Sequence, residues 1–216
     1  MRVRYTEENT FNINEWEPRT VLGREVKEHK VTSIEEIFHS GRRIEESEIV
    51  DALLPNITFE VVEISSVQRM TKNNRKQKYR ATVVVGDMNG HVGVGAAKDI
   101  EVKAAISSAI TNAKMNIIPV VIGCGSWQCL CGTRHSLPFT VTGKCGSVEV
   151  TIKPAPRGLG VVASKPVKKM LELSGIKDAW TFSRGRTRAK YNVLVATHRA
   201  LAKLNGMKNI EEKVKV

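Results

Sequence analysis

With 216 residues and 34 Lys/Arg against 22 Asp/Glu, the chain has room for a proper core in one or two domains, two small ones being favoured, and carries a formal charge of +12. That surplus calls for an anionic partner and is unevenly spread: residues 1–66 hold 8 Lys/Arg against 14 Asp/Glu, residues 67–216 hold 26 against 8. No run of about 18 apolar residues occurs, and Met1-Arg2-Val3-Arg4 leads into acidic sequence, which excludes a spanning helix and an apolar signal core and points to a cytoplasmic protein with no membrane partner.

Residues 1–30 show no sustained period, which suits an extended arm lying on a partner or, equally, a loose tail. Ser33 is placed to cap a short helix over Ile34–Phe38 ended by Gly41, and Ser47 to open another over Ile49–Leu54 stopped by Pro55, so residues 1–55 read as an arm with short helices. Ile57 to Val67 is a β-rich run. Gln68–Arg80 follows as a basic loop with Asn73-Asn74 at its tip, six cations (Arg69, Lys72, Arg75, Lys76, Lys78, Arg80) and no acid. Tyr79 to Val85 makes a second strand, and Asn89-Gly90 fits a two-residue type I′ turn with both central residues at positive φ. His91 to Gly95 returns. From about Asp99 the period becomes helical, with Val102, Ala105, Ile106, Ala109, Ile110, Ala113 and Ile117 on one face and Pro119 as the stop. Three antiparallel strands backed by a helix over residues 56–119 follow the order of a double-stranded-RNA-binding-like domain.

Residues 120–137 form a Cys-rich connector. Cys124, Cys129, Cys131 and His135 place four good zinc ligands within twelve residues, and Gly123, Gly125 and Gly132 let a short loop wrap an ion. The spacing is not the usual paired C-x2-C, so two readings stay open: one structural zinc, or buried thiols. Three cysteines so close together do not make a disulfide framework. His91 and His198 read as surface or packing residues.

From Pro138 to residue 206 a second α+β unit is expected. It holds a hairpin turning at Gly143-Lys144-Cys145-Gly146, a tight turn at Gly158-Leu159-Gly160, and a helix after Ser164 with Pro166 in its first turn. A short strand over Asp178–Phe182 and a last helix carrying Val193, Leu194 and Leu201 follow, and residues 207–216 are a polar tail. Arg184, Arg186, Arg188 and Lys190 lead into the last helix, where free N–H groups also favour anions. With the basic loop and Arg157 they form the candidate RNA-binding set. Lys168 and Lys169 belong to a solvated face. No Ser/His/Asp set or carboxylate pair nominates a nucleophile or general base, so no enzymatic reaction is expected.

Pro154-x3-Gly158-Leu159-Gly160 resembles the phosphate-binding loop of small-metabolite kinases. Where those kinases carry a serine pair, this chain has Val161-Val162, which cannot ligate a metal or donate to a phosphate. A broader resemblance covers roughly residues 16–205. Val84-Val85-Gly86-Asp87-Met88-Asn89-Gly90-His91-Val92-Gly93-Val94-Gly95, Asn116-Ile117-Ile118-Pro119-Val120, Val141-Thr142-Gly143-Lys144-Cys145-Gly146-Ser147-Val148 and Ile152-Lys153-Pro154-Ala155-Pro156-Arg157-Gly158-Leu159-Gly160 resemble successive signatures of small-subunit ribosomal protein five, the universal S-five family. Gly123-Cys124-Gly125-Ser126-Trp127-Gln128-Cys129-Leu130-Cys131 and His135-Ser136-Leu137-Pro138 resemble its archaeal form.

The resemblance implies a double-stranded-RNA-binding-like N-terminal domain, a C-terminal α+β domain of the ribosomal-S-five-domain-two-like fold, and a structural place in the small subunit bound to ribosomal RNA. It implies neighbours in ribosomal proteins four, eight and three, contact with messenger RNA where that strand enters, and support of decoding accuracy. The family's ribosomal-RNA-contacting loop maps onto Arg69–Arg80, with Asn73-Asn74 where bacterial members carry a glycine pair. The alternatives are a non-ribosomal double-stranded-RNA-binding regulator or a metabolite kinase using Gly158-Leu159-Gly160.

Overall fold

Thr20 starts a helix that the sequence pattern hides. In the computed structural model, which describes residues 16–129 and 131–206, its hydroxyl accepts the Gly23 N–H at 3.1 Å and caps α1 (Val21–Lys27). Leu22 and Val26, one turn apart, and Trp16 pack into one cluster with Ile34 and Ile37 of α2 (Ile34–His39), Ile44, and Ile49 and Val50 of α3 (Ser47–Leu53). The Glu46 carboxylate closes this arrangement by accepting the N–H groups of Arg19 and Thr20 at 2.9 and 2.5 Å. Residues 16–30 are therefore not an extended arm, because burying Trp16, Leu22 and Val26 outweighs the weak local period. The rest of the expected arm, residues 1–15, and the polar tail, residues 207–216, lie outside the described residues. Glu46 rather than Ser47 is the N-cap of α3, and Ser33 precedes α2 without a side-chain cap bond.

Contacts divide the chain into two units. The first takes the described residues up to Val85 with Gly93–Ile117. The first sheet runs in the order β1-β2-β3-β4, with β1 (Thr58–Met70), β2 (Arg75–Gly86), β3 (His91–Asp99) and β4 (Ile117–Pro119). Short links between β1, β2 and β3 require antiparallel pairing. Ala81, Val83 and Val85 of β2 bury against Ala105, Ala109 and Ala113 of α4 (Val102–Met115). The Lys114 ammonium donates to both oxygens of Asp51 at 2.6 and 2.7 Å, tying α4 to α3.

Two expectations change here. The sheet has a fourth strand, and Ile117 belongs to it rather than to the helix, which ends at Met115 before Pro119 is reached. The basic stretch is not a loop either. β1 continues to Met70 and β2 starts at Arg75, so only residues 71–74 turn, closed by the Thr71 N–H donating to Asn74 O at 2.9 Å. Side chains on an exposed two-stranded ribbon keep their charges in water, so cations do not interrupt the ladder.

The second unit takes Gly86–Val92 and the described residues from Ile118 onward. The turn at 87–90 is organised by Asp87, whose Oδ1 accepts the N–H groups of Asn89 and His91 at 2.8 and 3.0 Å while Oδ2 pairs with His91 Nδ1 at 2.6 Å. Positive φ falls on Met88 (61°) and Gly90 (106°) and not on Asn89, so this is not a type I′ turn. The side-chain cap lengthens the closure by two residues. Gly90 has the left-sided φ expected of it, and a Cβ there would stand 3.1 Å from Val120 O. Gly90→Val is expected to destabilise the fold by about 1–3 kcal/mol, read from denaturant midpoints; a parental midpoint contradicts the turn.

Burial by itself would raise the Asp87 carboxyl, but the His91 ring and the two N–H groups outweigh it and hold the group below the ordinary value. Its charged form thus favours the folded state. That stabilisation is complete above the ordinary carboxylate range and is lost as pH falls through the lower folded value. Asp87→Asn is expected to flatten the acid limb of stability against pH, checked by urea unfolding between about pH 2 and 6.

In the second sheet β5 (Val141–Cys145) pairs antiparallel with β6 (Val148–Pro154), from Val141 opposite Ile152 to Cys145 opposite Val148. The turn is therefore Gly146-Ser147, and Gly143, Lys144 and Cys145 are strand. Gly143 stands where a Cβ would run into the Ala196 carbonyl of α6 (Lys190–Ala202). β8 (Ala179–Arg184) pairs antiparallel with β6 and parallel with β7 (Val161–Val162), giving the order β5-β6-β8-β7, and α5 (Lys165–Leu173) makes the crossover the parallel pair needs. Val148, Val150, Ile152, Met170, Leu194 and Leu201 are buried. The α+β expectation holds in both units. No described helix is long and apolar enough to cross a membrane.

Candidate metal centre and cationic surfaces

A two-way bridge between Gly123 and Ser136, each N–H donating to the other's carbonyl at 2.8 Å, pinches the connector into a closed loop. Inside it Cys124, Cys129, Cys131 and His135 bring one ligand atom each within 4.8 Å of one another. Cys131 Sγ lies 3.6 Å from Cys124 Sγ, and Cys129 Sγ 3.7 Å from His135 Nε2. A tetrahedral zinc with Zn–S near ~2.3 Å and Zn–N near ~2.1 Å separates its ligands by roughly 3.6–3.8 Å, so the cluster fits that ion. Burial pushes the Cys124 thiol up to about 11, while the Thr133 hydroxyl, donating at 3.2 Å, helps hold the Cys131 thiol down to about 6. Cys145 is strand and takes no part in the cluster.

Sequence reasoning missed the residue behind the ligands. His135 is buried, and its Nδ1 pairs with Asp178 Oδ2 at 2.8 Å, the carboxylate–imidazole arrangement that fixes the ring and leaves Nε2 for a metal. The other oxygen, Asp178 Oδ1, accepts the N–H groups of Gly158 and Gly160 at 3.1 and 2.7 Å. The Ser136 hydroxyl donates to Asp178 O at 2.6 Å and accepts the Ala155 N–H at 3.1 Å, and the Lys177 and Asp178 N–H groups both donate to His135 O. Nothing near Asp178 in the chain marks it, since its partners lie 18 to 43 positions away.

That network also disposes of the kinase echo. Gly158 and Gly160 have φ of 89° and 76°, and their N–H groups converge as a phosphate loop's would, but they converge on the chain's own carboxylate. The anion place is filled from within.

The cationic residues occupy two surfaces, one in each unit. Arg69, Lys72, Arg75, Lys76 and Lys78 are exposed around the β1–β2 hairpin end and Arg80 is half-buried at its base. Arg184 ends β8 opposite Glu149, Arg186 and Arg188 lie in the connection, and Lys190 opens α6 behind the N-cap Ala189. Arg157 is exposed at the head of the Gly158–Gly160 turn. Lys168 sits 3.8 Å from Glu172 on an exposed face of α5.

Two small α+β units, each with exposed cations, and a glycine loop that closes on the chain's own carboxylate define a basic two-unit scaffold class of protein. The family models described as ribosomal protein S5, N-terminal domain, and ribosomal protein S5, C-terminal domain, match residues 57–121 and 143–214. Small ribosomal subunit protein uS5 of Methanocaldococcus jannaschii is 52% identical over 202 residues, covering 94% of this chain and 93% of that one. The uS5 protein of Aeropyrum pernix is 53% identical over 195 residues, covering 90% and 89%. The chain belongs to the ribosomal protein S5 family, in its archaeal type.

Proposed function

We propose that the protein is a structural constituent of the small ribosomal subunit in the cytoplasm, binding ribosomal RNA and carrying out no reaction. The observation that carries this reading is the exposed hairpin of β1 and β2, whose end presents cations without an intervening acid, in a chain about half identical to proteins named for that subunit. Residues 56–119 act as the double-stranded-RNA-binding-like domain, with Arg69, Lys72, Arg75, Lys76, Lys78 and Arg80 against phosphates. Residues 138–206 add Arg157, Arg184, Arg186, Arg188 and Lys190. Ribosomal proteins four, eight and three are its neighbours, and it stands where messenger RNA enters, supporting decoding accuracy. Cys124, Cys129, Cys131 and His135 hold one structural zinc, which keeps the connector 120–137 closed as a loop.

Sedimentation tests the reading. The protein is expected to co-migrate with small subunits on a sucrose gradient through a high-salt wash. Protein that stays at the top and binds any long RNA duplex equally well belongs to a free-standing regulator instead.

A further inference from the structure

Beside the metal centre lies a concavity of about 420 Å³ whose lining includes Thr133, Arg134, Arg157 and Lys177, with His135, Gly158, Gly160 and Asp178 beneath. Arg134, Arg157 and Lys177 are exposed at its edge, and no described salt bridge engages any of them. The one carboxylate in the lining, Asp178, is 4% exposed, is held by His135 Nδ1 and two N–H groups, and forms no described ion pair with any of the three cations at the edge. Three cations around a cavity in the size range of small-ligand sites recognise a phosphate with a sugar or base attached. A duplex can offer such a hollow a backbone phosphate but keeps its bases paired and stacked away from it. A single strand can splay a nucleotide into it.

The walls come from two segments that Asp178 joins by its side chain and that the Ser136 hydroxyl, accepting the Ala155 N–H at 3.1 Å, joins directly. Thr133 and Arg134 directly precede the ligand His135, while Arg157 precedes the Gly158–Gly160 turn that Asp178 Oδ1 holds. His135 Nδ1 holds the Asp178 carboxylate and the carboxylate holds the turn, so a metal held on Nε2 would steady the whole line by fixing the imidazole. We infer that this cleft is a phosphodiester-binding site for single-stranded RNA, formed by Arg134, Arg157 and Lys177 and held in shape by the metal centre through Asp178. The coupling rests on the zinc reading above; the cleft's charge does not.

The test uses the full chain, zinc-loaded and isotope-labelled, titrated with a short single-stranded oligoribonucleotide, with inorganic phosphate and with duplex RNA. The single strand is expected to shift the amides of Arg134, Gly158, Gly160 and Lys177, whereas the duplex shifts chiefly the β1–β2 hairpin. In the Arg134→Ala/Lys177→Ala variant the cleft response should weaken at least tenfold while zinc content stays parental. Asp178→Asn should loosen zinc by about 10–100-fold and speed exchange of the Gly158 and Gly160 N–H groups. Silent cleft amides, or an unchanged response in the double variant, overturn the site. Inorganic phosphate that binds there as well as the oligoribonucleotide overturns its assignment to RNA. Cleft shifts that persist after zinc is stripped overturn the coupling. Metal analysis of the parent, run first, reports separately on the zinc reading.

Discussion

Cys129→Ser is expected to take the protein from about one bound zinc to none, and to lower its stability by at least ~3 kcal/mol, on the order of 15 °C in Tm for a unit of this size. Four ligands within 4.8 Å of one another form a closed site, and in such sites binding free energy is folding free energy. The sheet β5-β6-β8-β7 with α5 and α6 keeps its own core, so the loss falls first on residues 120–137 and on the Gly158–Gly160 turn that Asp178 ties to them. Hydrogen exchange should rise there before it rises in β6 or α6. Thiol ligands must be deprotonated, so uptake releases protons and affinity falls on acidification, and a chelator should reproduce the variant's melting curve in the parent. Protein purified without chelator that holds no metal and whose thiols titrate freely would return the cysteines to simple buried thiols.

Arg75→Ala/Lys76→Ala/Lys78→Ala is expected to reduce the slope of log affinity against log salt by about two to three and to weaken assembly into small subunits. Each basic contact to a phosphate releases condensed counterions, and these three side chains crowd the start of β2, all exposed, with Lys76 and Lys78 on one face and Arg75 on the other. The fold should be retained. The backbone ladder of the hairpin does not depend on them, and long exposed cations contribute little to stability. Lys168→Ala/Lys169→Ala on α5 is the control: with Lys168 only loosely placed beside Glu172 at 3.8 Å, removing the pair should change neither slope nor assembly. A folded triple variant that enters subunits with the parent's salt dependence would show the hairpin charge to be a solvated face.

Apart from the short strands β4 and β7, the order of elements from Ile57 to Leu204 was legible in the chain because each is announced by short-range physics: alternation in β6, a 3.6-residue period in α4, a glycine at the Gly90 turn. The ligand quartet was legible too, since twelve residues suffice to gather it. What local pattern could not report was decided by contacts distant in sequence. α1 exists because Trp16, Leu22 and Val26 find the cluster built by α2 and α3, and its first turn is fixed by a carboxylate at Glu46. The Asn-Gly pair suggested a two-residue turn, but the Asp87 side chain captured the N–H groups and moved positive φ to Met88. The basic stretch appeared as a loop because charge is a cue to exposure, not to backbone conformation, and β-pairing through Met70 and Arg75 decided the latter. Asp178 is the clearest case. One buried carboxylate joins a ligand 43 positions earlier to a glycine turn 18 and 20 positions earlier; the pairing of β7 with β8 brings in the turn, and the Lys177 and Asp178 N–H groups donating to His135 O bring in the ligand.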